Sequence, residues 1–238
     1  MTKPRLNQLH FRRLEFKYVV PTALLDLVIP TIYRYLDADG YANKQGFYKV
    51  NSLYFDSPRL VCYQEKLDGI LFRKKYRVRY YDDKQKLFFE IKRKSGDTVF
   101  KDRVLLPKTT RITQQSLVNH QFLHHIPEGK LKGELVNDYH QLRLKPKVLI
   151  SYLRRPFVSK FSNNLRITLD YDLKATKITN GEFLNLNTNN YISPDLAVLE
   201  IKFNESLPAW VKHIIAAHNL QRDSFSKYAS AVEKLYQT

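Results

Sequence analysis

The feature that most constrains this fold is the stretch FRKKYRVRYY at residues 72–81. In it Arg73, Lys75, Arg77 and Arg79 take every second position of a run otherwise rich in Tyr, Phe and Val. Aromatic and β-branched residues favour a strand, and residues of one parity in a strand share a face. Four cations therefore line one face with no acid among them. A sheet face turned to water usually mixes both signs. This one is either a solvated face with a bias or a face that meets an anion.

Seven further segments read as strands: 11–20, 47–56, 87–94, 98–106, 147–159, 165–173 and 196–203. The intervening KSGDT at 94–98 reads as a hairpin loop. Helical apolar spacing marks 21–36, 109–123, 130–143, 207–220 and 226–236. Pro21 suits a helix start, while Pro30 is expected to kink or split the first helix. Most strands lack the two-faced apolar run of a buried parallel sheet. The expected class is α+β, with an antiparallel sheet or barrel of about eight strands and helices packed outside.

The one-sided charge recurs along the chain. Arg13, Glu15 and Lys17 share a parity, as do Glu90, Lys92 and Lys94, and as do Arg166, Thr168, Asp170 and Asp172; Glu200 and Lys202 share another. Two architectures accommodate this. In an open sheet the charged faces point to water. In a closed barrel they point inward, where each unpaired cation costs several kcal/mol of desolvation that a threaded polyanion would offset. Alternation by itself leaves both open.

Composition narrows the partner. Lys and Arg total 40 against 23 Asp and Glu, a formal charge of +17, which favours nucleic acid, an anionic membrane surface or a phosphate-rich substrate. In single-strand nucleic-acid binders the bases stack on groove aromatics. Here Leu14, Phe16 and Tyr18 oppose Arg13, Glu15 and Lys17, so the aromatics read mostly as core and a nucleic-acid partner is disfavoured. Sparse Gly and Pro and the lack of a low-complexity linker lead us to expect a single domain, 1–238. One cysteine, Cys62, excludes an internal disulfide framework and reads as a small buried residue. No apolar run approaches the ~20 residues of a membrane span, and MTKPRLNQLHFRR lacks a signal-peptide core, so a cytoplasmic protein is expected.

Familiar catalytic signatures are missing. There is no P-loop, no kinase glycine-rich loop and no H-E-x-x-H. His120 and His124 have i, i+4 spacing beside His125 but no carboxylate helper, and read as a polar helix face.

What remains is an ordered constellation. R-L-E-F-K-Y (13–18), S-L-Y-F-D (52–56), Y-x-x-K (63–66), R-V-R (77–79) and E-I-K (90–92) come first. V-F-K-D-R (99–103), Y-L-R (152–154), L-R-I-T-L-D (165–170), L-E-I-K (199–202) and F-S-K-Y (225–228) follow. In this order they resemble the catalytic domain of the vacuolar transporter chaperone (VTC) polyphosphate polymerases, a branch of the triphosphate tunnel metalloenzymes, or CYTH superfamily. The resemblance covers about residues 11 to 236.

The resemblance implies a closed antiparallel barrel whose basic tunnel binds ATP and inorganic polyphosphate or triphosphate. It implies catalytic roles for Lys17, Arg77, Arg79, Lys92, Arg154, Arg166 and Lys202, and substrate binding by Lys66, Lys101, Ser226 and Lys227. Ser226 and Lys227 would sit at the tunnel mouth, and Arg73, Lys75 and Arg103 at the outer mouth or surface. Glu200 would hold Mn²⁺ or Mg²⁺, with Glu15 either a second ligand or an ion-pair partner. Many tunnel enzymes begin Glu-x-Glu-x-Lys; this chain has Arg13-x-Glu15-x-Lys17, which fits the polymerase branch better than a two-metal hydrolase. A same-fold metal-dependent hydrolase of tripolyphosphate or nucleoside triphosphates, and a non-catalytic polyphosphate-binding module, are the alternatives. Eukaryotic members are fused to sensor and membrane domains. A stand-alone domain with a separate membrane partner, which would tether it peripherally, is the expectation here.

Overall fold

A computed structural model describes residues 14–81, 86–96, 98–106, 121–159, 164–179, 188 and 190–236. The elements are β1 (Leu14–Pro21), α1 (Leu25–Tyr33), β2 (Asp37–Ala38), β3 (Tyr48–Asp56), α2 (Val61–Leu67), β4 (Phe72–Tyr81), β5 (Leu87–Ser95) and β6 (Thr98–Leu106). After them come α3 (Lys130–Leu142), β7 (Lys145–Val158), β8 (Leu165–Lys177), β9 (Asn190–Tyr191), β10 (Leu196–Phe203), α4 (Ala209–Ala217) and α5 (Lys227–Tyr236). The helix expected over 109–123 lies mostly outside the described residues; Gln121–His125 form a 3₁₀ turn. Pro30 neither ends nor splits α1. It removes one backbone donor, while Leu25, Val28 and Ile32 anchor the helix in the core.

The eight long strands follow the order β1-β10-β8-β7-β3-β4-β5-β6 with antiparallel neighbours; β2 and β9 add short pairings to β7 and β8. Ser95 pairs with Thr98 across the expected hairpin, where Gly96 supplies the positive φ that favours glycine. The sheet curls until Glu15 of β1 lies 3.7 Å from Lys92 of β5. The fold is thus an α+β curled antiparallel barrel with its charged face inward. It is not hydrogen-bonded shut, because β1 and β6 do not pair among the described residues.

The segment before α5 lies along the open seam instead. Tyr18 and Arg222 form an isolated bridge, and Asp223 N–H donates to Lys17 C=O at 2.8 Å. From β1 the segment reaches α2 and β4, where Lys66 Nζ donates to Ser224 Oγ at 3.3 Å and Lys75 Nζ to Ser226 Oγ at 2.8 Å.

The outer face carries two apolar clusters. In one, Leu135 and Tyr139 of α3 meet Phe89 and Ile91 through Phe122; in the other, α1 and α4 bring Val28, Ile32 and Val211 against Leu169, Leu199 and Ile201. The helix α4 therefore packs on the barrel as expected. In contrast to the expectation that all helices lie outside, α5 packs on the inner face. Its Tyr228, Ala231 and Val232 join Val50, Val148, Ile150, Ala175 and Val198. Asp172, at φ 52°, shifts the parity of β8 so that Leu173 and Ala175 join the same cluster. Burying a side chain such as Val232 there contributes about 1.5–3 kcal/mol. One end of the barrel is thereby filled with apolar side chains, and the rest stays polar.

Candidate active site

The polar part of the barrel is a cavity of about 1450 Å³. Sixteen Lys and Arg residues line it against four Asp and Glu, among the described residues. Further carboxylates stand in the wall behind. Glu90 has no exposed surface and sits between Arg77 (2.6 Å), Arg103 (2.5 Å), Arg79 (3.9 Å) and Lys101 (4.0 Å). Asp170, equally buried, takes both Nε and Nη2 of Arg154, at 2.6 and 2.7 Å, and Lys227 Nζ at 2.7 Å. These bidentate and charge-assisted bonds fix the guanidinium planes before any ligand arrives.

A second group centres on β1 and β10. Lys17 and Lys202 each reach both Glu15 and Glu200, at 3.2–3.9 Å, and Lys227 and Arg154 complete the ring around Glu200 at 3.3 and 3.7 Å. The β-ladder sets this up, since Lys17 faces Glu200 and Glu15 faces Lys202 in register. At the far rim Arg166 bonds Asp39 at 2.9 Å.

Electrostatics follow from the crowding. Burial opposes the charge on Glu15, but Lys202, Lys92 and Lys17 outweigh it and hold the carboxyl at about 2. Glu200 is likewise held well below the usual carboxylate range, burial being overcome by Lys227, Lys202, Lys17 and Arg154. Burial, only partly offset by Glu15, pushes Lys92 down to about 8; burial also pushes Lys101 to about 8, against the pull of Glu90. Desolvation pushes Lys75 well below the ordinary lysine value, and Lys17, Lys92, Arg73 and Lys66 add to the shift.

Every residue given a site role from the sequence lines this one cavity, including Lys66, Lys92, Lys101 and Ser226. Four residues are placed differently from expectation. Lys227 is buried among Asp170 and Glu200 rather than standing at the mouth, because α5 enters the barrel. Lys75 and Arg103, expected at the outer mouth or surface, line the cavity wall; their shared parity with Arg77 and with Lys101 was the signal. Asp172 leaves the charged face, pairing with Lys174, because of the parity shift. Inward-facing aromatics were also missed: Tyr54 accepts an N–H from Arg77 at 3.0 Å, and Tyr152 accepts one from Arg79 at 3.3 Å. Cys62 is buried in α2 and its thiol is pushed up by burial and by Asp56, so it is no nucleophile.

Comparison with known proteins agrees with this geometry. The family model of the VTC domain matches residues 12–236. The chain belongs to the VTC domain family. No curated protein matches it. Among solved structures, this VTC chain is similar to a candidate adenylate cyclase, bh2851, from Bacillus halodurans, with TM-score 0.53 and 12% identity over 90% of this chain and 95% of that one. It is also similar to HpAC1 from Hippeastrum, a candidate adenylyl cyclase described as having a dominant triphosphatase activity, with TM-score 0.51 and 12% identity over 94% and 95%. At that identity the likeness carries the tunnel fold.

The VTC relationship implies a divalent metal, and the described residues supply only part of an oxygen donor set for one. Glu15 and Glu200 are oxygen donors linked through Lys17 and Lys202, and the buried Thr168 Oγ1, beside Glu200 in the ladder, has no hydrogen-bond partner. No group of three or more His, Cys, Asp or Glu could hold a metal among the described residues. Phosphate oxygens and water would have to complete an oxygen shell, as is usual for Mg²⁺ at phosphate sites. Among the described residues no helix is long and apolar enough to cross a membrane.

Proposed function

We propose that this VTC protein transfers the γ-phosphate of ATP to the end of an inorganic polyphosphate chain and releases ADP. The observation that carries the reading is a cavity whose lining cations outnumber its acids four to one among the described residues, with Glu15 and Glu200 held ionised by the cations around them. Such a wall stabilises a polyanion, and Glu15 and Glu200 in it are poor proton acceptors.

Arg77, Arg79, Arg154 and Arg166 offer planar forks for phosphate oxygens, while Lys17, Lys92 and Lys202 offer point charges. Lys66, Lys101, Ser226 and Lys227 hold the phosphate chain on either side. In the step itself, a terminal polyphosphate oxygen bonds to the γ-phosphorus as the bond to the β,γ-bridging oxygen breaks, and ADP leaves with that electron pair. The chain supplies its own nucleophile, so the protein needs only to align the two ends and neutralise charge on the equatorial and leaving oxygens. Mn²⁺ or Mg²⁺ held by Glu200, with Glu15, would supply Lewis acidity toward the phosphoryl oxygens.

Hydrolysis of a triphosphate is the second reading, and the likeness to HpAC1 favours it. Against it, no histidine lines the cavity among the described residues, and a carboxyl held at about 2 is a weak base toward water. The test is incubation of the protein with ATP and Mn²⁺, with polyphosphate sized on a gel and ADP and phosphate counted separately. A lengthening ladder with ADP and little phosphate is expected. Free phosphate without chain growth would assign the protein to hydrolysis, and no turnover with tight tripolyphosphate binding would leave a binding module.

A further inference from the structure

The two ends of the cavity differ in chemistry. At one end Lys66 and Lys75 bond Ser224 and Ser226, and Arg73 lines the same cavity. The other end is aromatic. Tyr48 begins β3, Tyr81 ends β4 and Phe88 stands near the start of β5, so the antiparallel register gathers all three. The rings of Tyr48 and Tyr81 meet edge to face at 5.5 Å, and those of Tyr81 and Phe88 at 6.3 Å. Arg103 covers the Phe88 ring at 4.5 Å.

Tyr41 also lines the cavity here, yet its side chain makes little contact with the protein, leaving the residue 89% exposed. Its loop is not loosely held. Asp39 Oδ1 accepts the Tyr41 N–H at 3.1 Å while Asp39 Oδ2 accepts from Arg166 at 2.9 Å. Asn43 Oδ1 accepts from both Gln45 and Phe47 backbone N–H groups, and Asp39 N–H donates to Pro156 C=O at 3.1 Å. A hydrogen-bonded loop therefore presents a bare aromatic ring at the rim, next to the arginine that begins the cationic wall.

We propose that this rim is a nucleobase vestibule, with Tyr41 stacking on the base of the donor nucleotide and Tyr48 and Tyr81 as the aromatic wall beside it. The proposal rests on the reading of ATP as phosphoryl donor. The triphosphate would then run inward past Arg166 and Arg103 toward Lys17 and Lys92, and the polyphosphate chain would occupy the end near Lys66, Arg73 and Lys75. Stacking recognises a π-face that every base possesses, so ATP and GTP should bind within a few-fold of each other.

The test is calorimetric binding of ATP, GTP and inorganic tripolyphosphate to the full chain and to Tyr41→Ala, Tyr41→Phe and Tyr41→Trp. Tyr41→Ala should weaken both nucleotides about ten-fold, within the range for loss of one base stack, and leave tripolyphosphate within two-fold. Tyr41→Phe and Tyr41→Trp should restore nucleotide affinity. Equal loss for tripolyphosphate and nucleotides, or no loss for either, would overturn the vestibule. ATP turnover by the parent, measured alongside, separates the two readings. If the parent turns over ATP and Tyr41→Ala binds it normally, only the vestibule fails; if the parent binds tripolyphosphate but no nucleotide, both fail.

Discussion

Glu90 is the residue whose removal tests the electrostatic design most directly. It has no exposed surface and is the shared partner of Arg77, Arg79, Arg103 and Lys101. Glu90→Gln keeps shape and volume and removes the charge. At an effective dielectric of ~20, each lost attraction at 4 Å amounts to about 4 kcal/mol before desolvation is counted. Desolvation of the carboxylate offsets part of that sum, and measured losses on breaking a buried ion pair are about 3–5 kcal/mol. We expect the unliganded variant to lose stability in that range by urea denaturation. Its ligand affinity should move the opposite way. Three guanidinium groups without their counter-charge attract a polyanion more strongly, so tripolyphosphate should bind at least about ten-fold tighter, or ~1.4 kcal/mol. Saturating tripolyphosphate should accordingly narrow the stability gap between parent and variant. Unchanged stability, or weaker tripolyphosphate binding, would show that Glu90 is not the counter-ion of the cavity wall.

Two further outcomes follow from the same wall. Lys92 and Lys101 are held at about 8 in the free protein, and a bound polyanion must raise both. Well below pH 8 both are charged in either state and affinity is flat with respect to them; as the pH rises through about 8, binding must take up protons and affinity should fall. Calorimetry at pH 9 in two buffers of different ionisation heat should show proton uptake, and its absence would refute the assignment of these lysines to the binding wall. Lys227→Met should lower the urea midpoint as well as tripolyphosphate affinity, because it strips a cation from Asp170 and Glu200. The stability loss should fall near the lower end of the about 3–5 kcal/mol for a broken buried pair, since Arg154 still holds Asp170. A variant as stable as the parent would mean that Lys227 is free in solution.

Much of this was legible in the sequence because a strand's period is two and the charged parity is unbroken over most strands. The run at 72–81 already placed Arg77 and Arg79 on one wall, and the same rule, applied without exception, would have placed Lys75 and Arg103 there too. What the rule could not show is where parity breaks. Asp172 takes a left-handed backbone conformation, an uncommon choice that nothing in LRITLDYDL announces, and Leu173 and Ala175 turn inward after it. Nor do Val50, Val148 and Ile150 look different from ordinary core residues, although they face the barrel interior and receive α5. Partner choice was equally hidden: Arg166 finds Asp39 and Lys227 finds Asp170 only after the sheet has curled.

The distribution of acids gives the cavity a direction. In the middle, Glu90, Asp170, Glu200 and Glu15 counter the cations, so the fold tolerates them without a ligand. Toward the segment before α5 this compensation runs out: Lys66, Arg73 and Lys75 form no ion pair among the described residues, and Lys75 has only the hydroxyl of Ser226. A phosphate placed there meets cations that no carboxylate pairs and would favour the charged form of Lys75, whereas one placed beside Arg154 must compete with Asp170. Anion binding should therefore be least opposed by resident carboxylates at the Lys75 end and most tightly oriented at the Arg154 end. Under the proposed transfer reaction the first end would hold the polymer and the second would fix the phosphoryl group.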